Sequence, residues 1–341
     1  MKKVGIVGIG GVASYAQIPA YIEKGIRIQA ICDINEEILN KIGDKYNISN
    51  RYTDIEEMIV KEKVDIIDVA TPPQTHLDII RIANKYNVEV IMQKPLIVDI
   101  KEFEQLKVLI NANKHLKLNL TGRYVSAWQK IKKILNNKEI GKPLICTITN
   151  NDWWDREPGR WDLKTKDYII FEMLIHHLDL CNFWFGYPKR ITARGGHSEK
   201  QLMKNMNFVN VTLEYEDGFI VQIIENWLMP EFDFATGHPF EDVLITGEEG
   251  AIKANSEIVK LSKIGDNDIR TWKLPRPGQK LPVESLENNW FIDSFGCAMA
   301  DYLDYFNKNE KELEDKEYAI ELTKLTFKVS EATKSNKWIE I

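Results

Sequence analysis

Cysteine is scarce in this chain. Cys32, Cys146, Cys181 and Cys297 are widely scattered through 341 residues, and no pair has CxxC spacing. That excludes a zinc knuckle or dithiol redox motif and fits four buried free thiols in a reducing cytoplasm. Long hydrophobic runs are lacking too: none approaches the ~18 residues a membrane span needs. The opening MKKVGIVGIGG has two lysines and an apolar stretch, but Gly10 and Gly11 break it and no small-residue cleavage site follows. It reads as a first β-strand rather than a signal peptide. Positive charge is not in excess. The net charge of −6 argues against a nucleic-acid partner, which asks for a basic face. Internal repeats and low-complexity tracts are absent from the sequence.

What is present is material for ordinary globular cores. Hydrophobic residues make up 44% and charged residues 28%, and 341 residues suggest about two domains. Up to about residue 120, short apolar runs alternate with helical stretches. Lys3–Gly8, Ile26–Cys32, Val64–Ala70, Val88–Met92 and His115–Leu120 read as strands; Ala13–Glu23, Glu36–Tyr46 and Leu77–Lys85 read as helices. That alternation implies βαβ units and a parallel sheet. Beyond residue 121 the pattern changes. After a helix at Val125–Asn136 come strand candidates Leu144–Thr149, Asn210–Tyr215, Phe219–Glu225 and Glu241–Thr246, the middle two joined by the turn signal EDG. Strands without intervening helices imply a mostly antiparallel sheet. Helices return at Trp290–Phe306 and Glu317–Thr333, and LPRPGQKLP (274–282) reads as a long loop.

VGIVGIGGVAS places Gly8, Gly10 and Ala13 in a GxGxxA pattern between a strand and a helix. Gly8 permits a tight turn, Gly10 lets backbone approach a pyrophosphate, and Ala13 keeps the helix close to the strand. The helix N-terminus, with Gly11 and Val12, offers unpaired N–H groups and a positive dipole end to phosphate. Asp33, at the end of the second strand, can accept hydrogen bonds from ribose hydroxyls and repels a 2′-phosphate; no Arg or Lys follows before Lys41. NAD is therefore preferred to NADP. The alternative is a turn with a helix-capping aspartate. The third strand ends in DVATPPQTH, where Thr71, Pro72 and Pro73 form a rigid exit from the carboxyl edge of the sheet, the edge where ligands bind. Lys94, after the strand VEVIM, ends at the same edge.

YIIFEMLIHHLDLCNFWFG (168–186) is apolar nearly all round and reads as a buried helix. Glu172, His176 and Asp179 interrupt it at spacings of four and three, which places them on one face. Unpartnered buried charge is costly, so the stripe has a purpose. It can be a structural hydrogen-bond network or a divalent-ion site, but a metal would sit poorly with Lys94. The reading carried forward is acid–base machinery, with no metal. His177 points a quarter turn away and is read as a packing or surface residue. Phe219, Val221 and Ile223 alternate along one strand, and the sheet is expected to leave such an apolar face for a second copy, giving a dimer or tetramer.

Together the glycine loop, ATPPQTH, QKP, GRY (122–124), IGKP (140–143) and EMLIHHLD resemble the Gfo/Idh/MocA oxidoreductases, in order and spacing, over nearly the whole chain. The resemblance implies an α/β chain: a Rossmann NAD-binding domain over 1–120, then over 121–341 an α+β domain with a large, mostly antiparallel open sheet for substrate and oligomer contacts. The C-terminal helices can pack back on the first domain. It implies catalytic roles for Lys94 and His176, assisted by Glu172 and Asp179, and a cis Lys94–Pro95 bond. Thr71, Pro72, His76, Gln93 and Lys94 join the glycine loop and Asp33 as cofactor-side residues. Arg123, Tyr124, Trp153, Trp154, Arg160 and Trp161 join Lys94 and His176 on the substrate side. The loop NDWWDREPGRWD (151–162) itself reads as lining the substrate cleft, its tryptophans stacking on sugar faces and Arg156 and Arg160 binding anionic groups, with aromatic packing at the domain junction as the alternative for each. The chain departs from the family pattern where Gln93 replaces glutamate, Glu172 aspartate and Leu174 glycine, and where Tyr168–Ile170 replaces the glycine pair that commonly precedes this helix. The expected function is oxidation of a secondary hydroxyl on a sugar, cyclitol or derivative with NAD, in the cytoplasm. An NAD-dependent glycosidase acting by transient oxidation and a non-catalytic dinucleotide sensor of the same fold are the alternatives.

Overall fold

The structure, a computed structural model, describes residues 2–155, 165–229, 240–274, 292–306, 312–335 and 337–341. The N-terminal stretch forms β1 (Val4–Val7), α1 (Ile18–Glu23), β2 (Ile28–Cys32), α2 (Glu36–Lys45), β3 (Arg51–Tyr52), α3 (Ile55–Glu62), β4 (Ile66–Val69), α4 (His76–Tyr86), β5 (Glu89–Gln93), α5 (Phe103–Ala112) and β6 (Leu116–Asn119). Then follow α6 (Ser126–Asn136), β7 (Pro143–Asn151), α7 (Ile175–Phe185), β8 (Arg190–Gly196), β9 (Phe208–Glu214), β10 (Ile220–Asn226), β11 (Phe240–Gly247), β12 (Gly250–Asn255), β13 (Ile258–Lys263) and β14 (Arg270–Lys273). The last elements are α8 (Ile292–Phe306), α9 (Glu312–Ser335) and β15 (Ile339–Glu340).

These elements divide into two units. The first joins Met1–Thr121 to Ile292–Lys324. Its six strands are all parallel, in the order β3-β2-β1-β4-β5-β6. Every residue of β1, β4 and β5 is buried, which is why these strands read as continuous apolar runs. α2 and α3 start at capping side chains: Asn35 accepts from Glu37 and Ile38 N–H, and Asp54 from Glu57 N–H. α8 packs on α1 at Gly296, where a Cβ would stand 2.9 Å from the Ala20 carbonyl oxygen. Its Tyr302 is fully buried, stacks on His115 at 5.0 Å and donates to the Val90 carbonyl at 3.2 Å.

The second unit joins Gly122–Phe291 to Leu325–Ile341. Among its described residues a nine-stranded sheet runs β14-β13-β12-β11-β7-β10-β9-β8-β15. All neighbours are antiparallel except β7 and β10. The β9–β10 hairpin turns at Gly218, with φ +83°, as the EDG signal predicts. α6 and α7 cover one face. Phe219, Val221 and Ile223 point into that covered face and are 5%, 0% and 0% exposed. The expectation that they form an open apolar face is therefore corrected: alternation marks which residues are buried, and the chain's own helices bury them. The opposite face carries Ile145 and Leu244, 44% and 48% exposed, with Ile220 and Ile224 half-buried. Among the described residues no helix is long and apolar enough to cross a membrane. The loop at 275–282 lies outside the described residues.

Candidate active site

In the first unit, the chain leaves β1 at Gly8, whose φ is +81°. A Cβ there would stand 2.6 Å from Thr71 Cγ2 and 2.9 Å from Thr71 N, so both conformation and space require glycine. At Gly10 and Gly11 the reason differs. A Cβ on either would meet no atom within 4 Å. Packing within the protein does not demand these glycines, and the backbone there is open to a close approach of the kind a dinucleotide pyrophosphate makes. Ala13 is fully buried and begins a π-helical turn, Ala13–Gln17, that runs into α1. Asp33 stands at the end of β2. Its Oδ2 accepts from Ile9 N–H at 2.9 Å and its Oδ1 from Asn35 N–H at 2.9 Å. The carboxylate is thus locked against the glycine loop, and each oxygen keeps a second lone pair for a ribose hydroxyl.

Further along the same carboxyl edge, Thr71 and Thr75 share a hydroxyl hydrogen bond at 2.7 Å. His76 is fully buried, its Nε2 3.0 Å from the Thr71 carbonyl and its Nδ1 3.1 Å from the Leu96 carbonyl. Burial pushes the imidazole down to about 4, against those carbonyls, so near neutrality its one ring proton serves one carbonyl at a time. His76 therefore lies beneath the edge, between the β4 exit and the segment that follows Lys94. The Lys94–Pro95 bond is cis, and Lys94 is half-buried. Gln93 and its register partner Asn119 on β6 are 8% and 2% exposed. Among the described residues Gln93 Nε2 and both Asn119 amide atoms have no hydrogen-bond partner, a state that suits a polar ligand at this edge.

In the second unit, a π-helical turn, Ile170–Leu174, leads into α7, and Gly186 at φ +83° ends it. π-turns of this kind are frequent at functional sites. Glu172 and His176 are half-buried, whereas Asp179 is 1% exposed. Asp179 faces Arg123, which the short 3₁₀ turn Thr121–Tyr124 presents: Nε lies 2.7 and 3.0 Å from the carboxylate oxygens. Two residues assigned separately from sequence thus form one forked ion pair. Tyr124 beside them is half-buried.

Of the two readings, burial removes the surface one for His177. It is 1% exposed and lies between two carboxylates, Glu225 Oε1 at 2.5 Å from Nδ1 and Glu241 Oε1 at 3.2 Å from Nε2. Burial alone would lower this imidazole; Glu225 and Glu241 reverse that and raise it to about 10. The partners are 48 and 64 residues away in sequence, so no local pattern announces them. Trp154 stacks on the fully buried Trp227 at 5.1 Å, with Tyr168 edge-on to the same ring at 5.8 Å. Trp153 is 49% exposed. Arg156, Arg160 and Trp161 lie outside the described residues. Among the described residues no cluster of three or more His, Cys, Asp or Glu is placed to hold a metal ion.

The six-stranded parallel sheet, the open glycine cradle and the locked Asp33 define an NAD-binding oxidoreductase. Residues 2–119 match the oxidoreductase family with an NAD-binding Rossmann fold, and residues 128–253 match the GFO/IDH/MocA C-terminal domain; the chain belongs to the GFO/IDH/MocA oxidoreductase family. Over 253 residues it is 27% identical to a D-apiose dehydrogenase of Rhizobium rhizogenes, covering 72% of this chain and 71% of that one. Over 313 residues it is 22% identical to an inositol 2-dehydrogenase of Salmonella paratyphi B, covering 89% and 86%. A levoglucosan dehydrogenase solved with NADH and levoglucosan shares the fold at TM-score 0.83 and 16% identity, over 100% of this chain and 99% of that one.

Proposed function

We propose that the protein oxidises a secondary hydroxyl of a sugar, cyclitol or sugar derivative. NAD⁺, when bound, supplies the hydride acceptor. Gly8, Gly10, Gly11, Val12 and Ala13 cradle its pyrophosphate, Asp33 accepts from its ribose, and Thr71, Pro72 and Gln93 border it, with His76 bracing that edge from below. His176 takes the hydroxyl proton, Lys94 stabilises the developing alkoxide, and Glu172 orients His176. Arg123, Tyr124, Trp153, Trp154, Arg160 and Trp161 complete the substrate side, with Asp179 holding Arg123 in place. The reverse reduction uses the same groups in the opposite sense.

The observation that carries this reading is Lys94 standing at the carboxyl end of a buried parallel strand, on the sheet that also bears the glycine cradle and Asp33. The relatives named for D-apiose and inositol support the substrate class. The test is a panel of sugars, inositols and sugar nucleotides with NAD⁺, read at the NADH absorbance band. Net NADH release on a polyol supports the reading; turnover of a glycoside with no net NADH supports transient oxidation instead. The Ile145–Leu244 face of the sheet supports assembly as a dimer or tetramer, and four free cysteines suit a reducing cytoplasm.

A further inference from the structure

Three buried ionisable groups meet at α7, one residue along from His176. The His177, Glu225 and Glu241 side chains are 1%, 0% and 9% exposed. Glu225 is on β10 and Glu241 on β11, with β7 between them. Asn150 of β7 is the register partner of both. Yet the Asn150 amide makes no hydrogen bond among the described residues, and both carboxylates turn to the imidazole instead. With an acceptor on each nitrogen, the ring is fully satisfied only as the cation. The other ionisable groups around it do not compete. The Cys146 and Cys181 thiols are held protonated by burial, and Asp179 is paired with Arg123.

Stability alone is a poor reason for such a cluster. Replacing a buried ion triad by apolar side chains is often neutral or stabilising. Asp179 and Trp184 tie α7 to Arg123 and to the Trp128 carbonyl, but its other buried contacts, through Ile175, Leu178, Leu180 and Cys181, are apolar and non-directional. It also follows directly on a π-turn, where helix phase is readily altered. A directional bond to two strands removes that freedom.

We propose that His177 is a positioning residue: clamped between Glu225 and Glu241, it fixes the rotation and axial setting of α7 and thereby the place of the His176 imidazole. This rests on His176 as the proton acceptor of the proposed reaction. The clamp is geometric, so Glu225→Gln, whose carbonyl still accepts from Nδ1–H, retains it. Glu225→Leu does not.

The experiment compares parent, Glu225→Gln, Glu225→Leu and His176→Ala, with myo-inositol and D-apiose as probes and active sites counted by NAD⁺ binding. Glu225→Leu should lose about tenfold or more in kcat per site, with KM within about twofold, and Glu225→Gln should restore most of the rate. A merely structural clamp would lower Tm and leave kcat per site unchanged, overturning the proposal. Histidine-selective NMR of the NAD⁺-loaded protein gives a readout independent of turnover. The His176 ring signals should move in Glu225→Leu and stay in Glu225→Gln; unmoved signals in both overturn the clamp. If His176→Ala keeps the parental kcat, the catalytic reading fails. If His176→Ala is slow and Glu225→Leu is not, only the clamp fails.

Discussion

Arg123 Nη2 lies 2.5 Å from Asp179 Oδ1, and its Nε reaches both oxygens of the same carboxylate. Asp179 is 1% exposed and Arg123 28%, so removing the arginine takes the paired guanidinium from a buried carboxylate of α7. Arg123→Met should lower the free energy of unfolding by about 2 to 4 kcal/mol, somewhat under the cost for a fully buried pair because the guanidinium reaches water. Urea titration checks this. A loss below about 1 kcal/mol would reduce the pair to an ordinary surface bridge.

Asp33 is proposed to set the choice of cofactor. Its two oxygens are already fixed by Ile9 and Asn35 N–H, so the charge cannot swing away from a 2′-phosphate. The parent should bind NAD⁺ more tightly than NADP⁺, and Asp33→Ser should narrow the gap by roughly ten- to a hundredfold. Calorimetry giving equal affinities in the parent would exclude this role.

Asp68 predicts a pH dependence of stability. It is fully buried on β4, with Tyr21 Oη at 2.6 Å and Gln17 Nε2 at 2.9 and 3.1 Å. Burial raises its carboxyl to about 7, with the bonds from Tyr21 and Gln17 opposing. An unfolded aspartate titrates near ~3.9, so the folded value is the higher. Its contribution is therefore whole below about pH 4 and is lost as pH rises through about 7. Asp68→Asn should gain on the parent between about pH 4 and pH 8, by up to about 4 kcal/mol. A constant difference in unfolding free energy across that range would contradict the assignment.

Assembly should depend on the uncovered sheet face. The parent should run as the proposed dimer or tetramer in light scattering at micromolar concentration, and Leu244→Glu combined with Ile145→Lys as a monomer, with the sheet core intact because neither side chain enters it. A strictly monomeric parent would refute the interface.

Sequence made the parallel strands legible because burial on both faces leaves an unbroken apolar run, as in Val4–Val7 and Ile66–Val69. It was silent on β3, two residues at a sheet edge, and on α3, eight residues whose cap is the single Asp54. It gave no assignment to α5 or to β8 and β12–β14, where short polar alternation resembles loop. The glycine loop and Asp33 were readable because the motif is local. The Arg123–Asp179 and His177–Glu225–Glu241 contacts were not, since each depends on segments tens of residues apart that only tertiary packing brings together.

Lys94 carries the central claim. It follows a fully buried strand, and a proline holds the chain directly after it. If its ammonium stabilises alkoxide charge, Lys94→Ala should lower kcat by about two to four orders of magnitude and change NAD⁺ affinity much less. Lys94→Arg should not rescue fully, because guanidinium is larger and does not give up its proton. The direct measurement is kcat of Lys94→Ala on a substrate found with the parent. A loss of that size with NAD⁺ binding intact is the result the mechanism requires, and a near-parental kcat would contradict it.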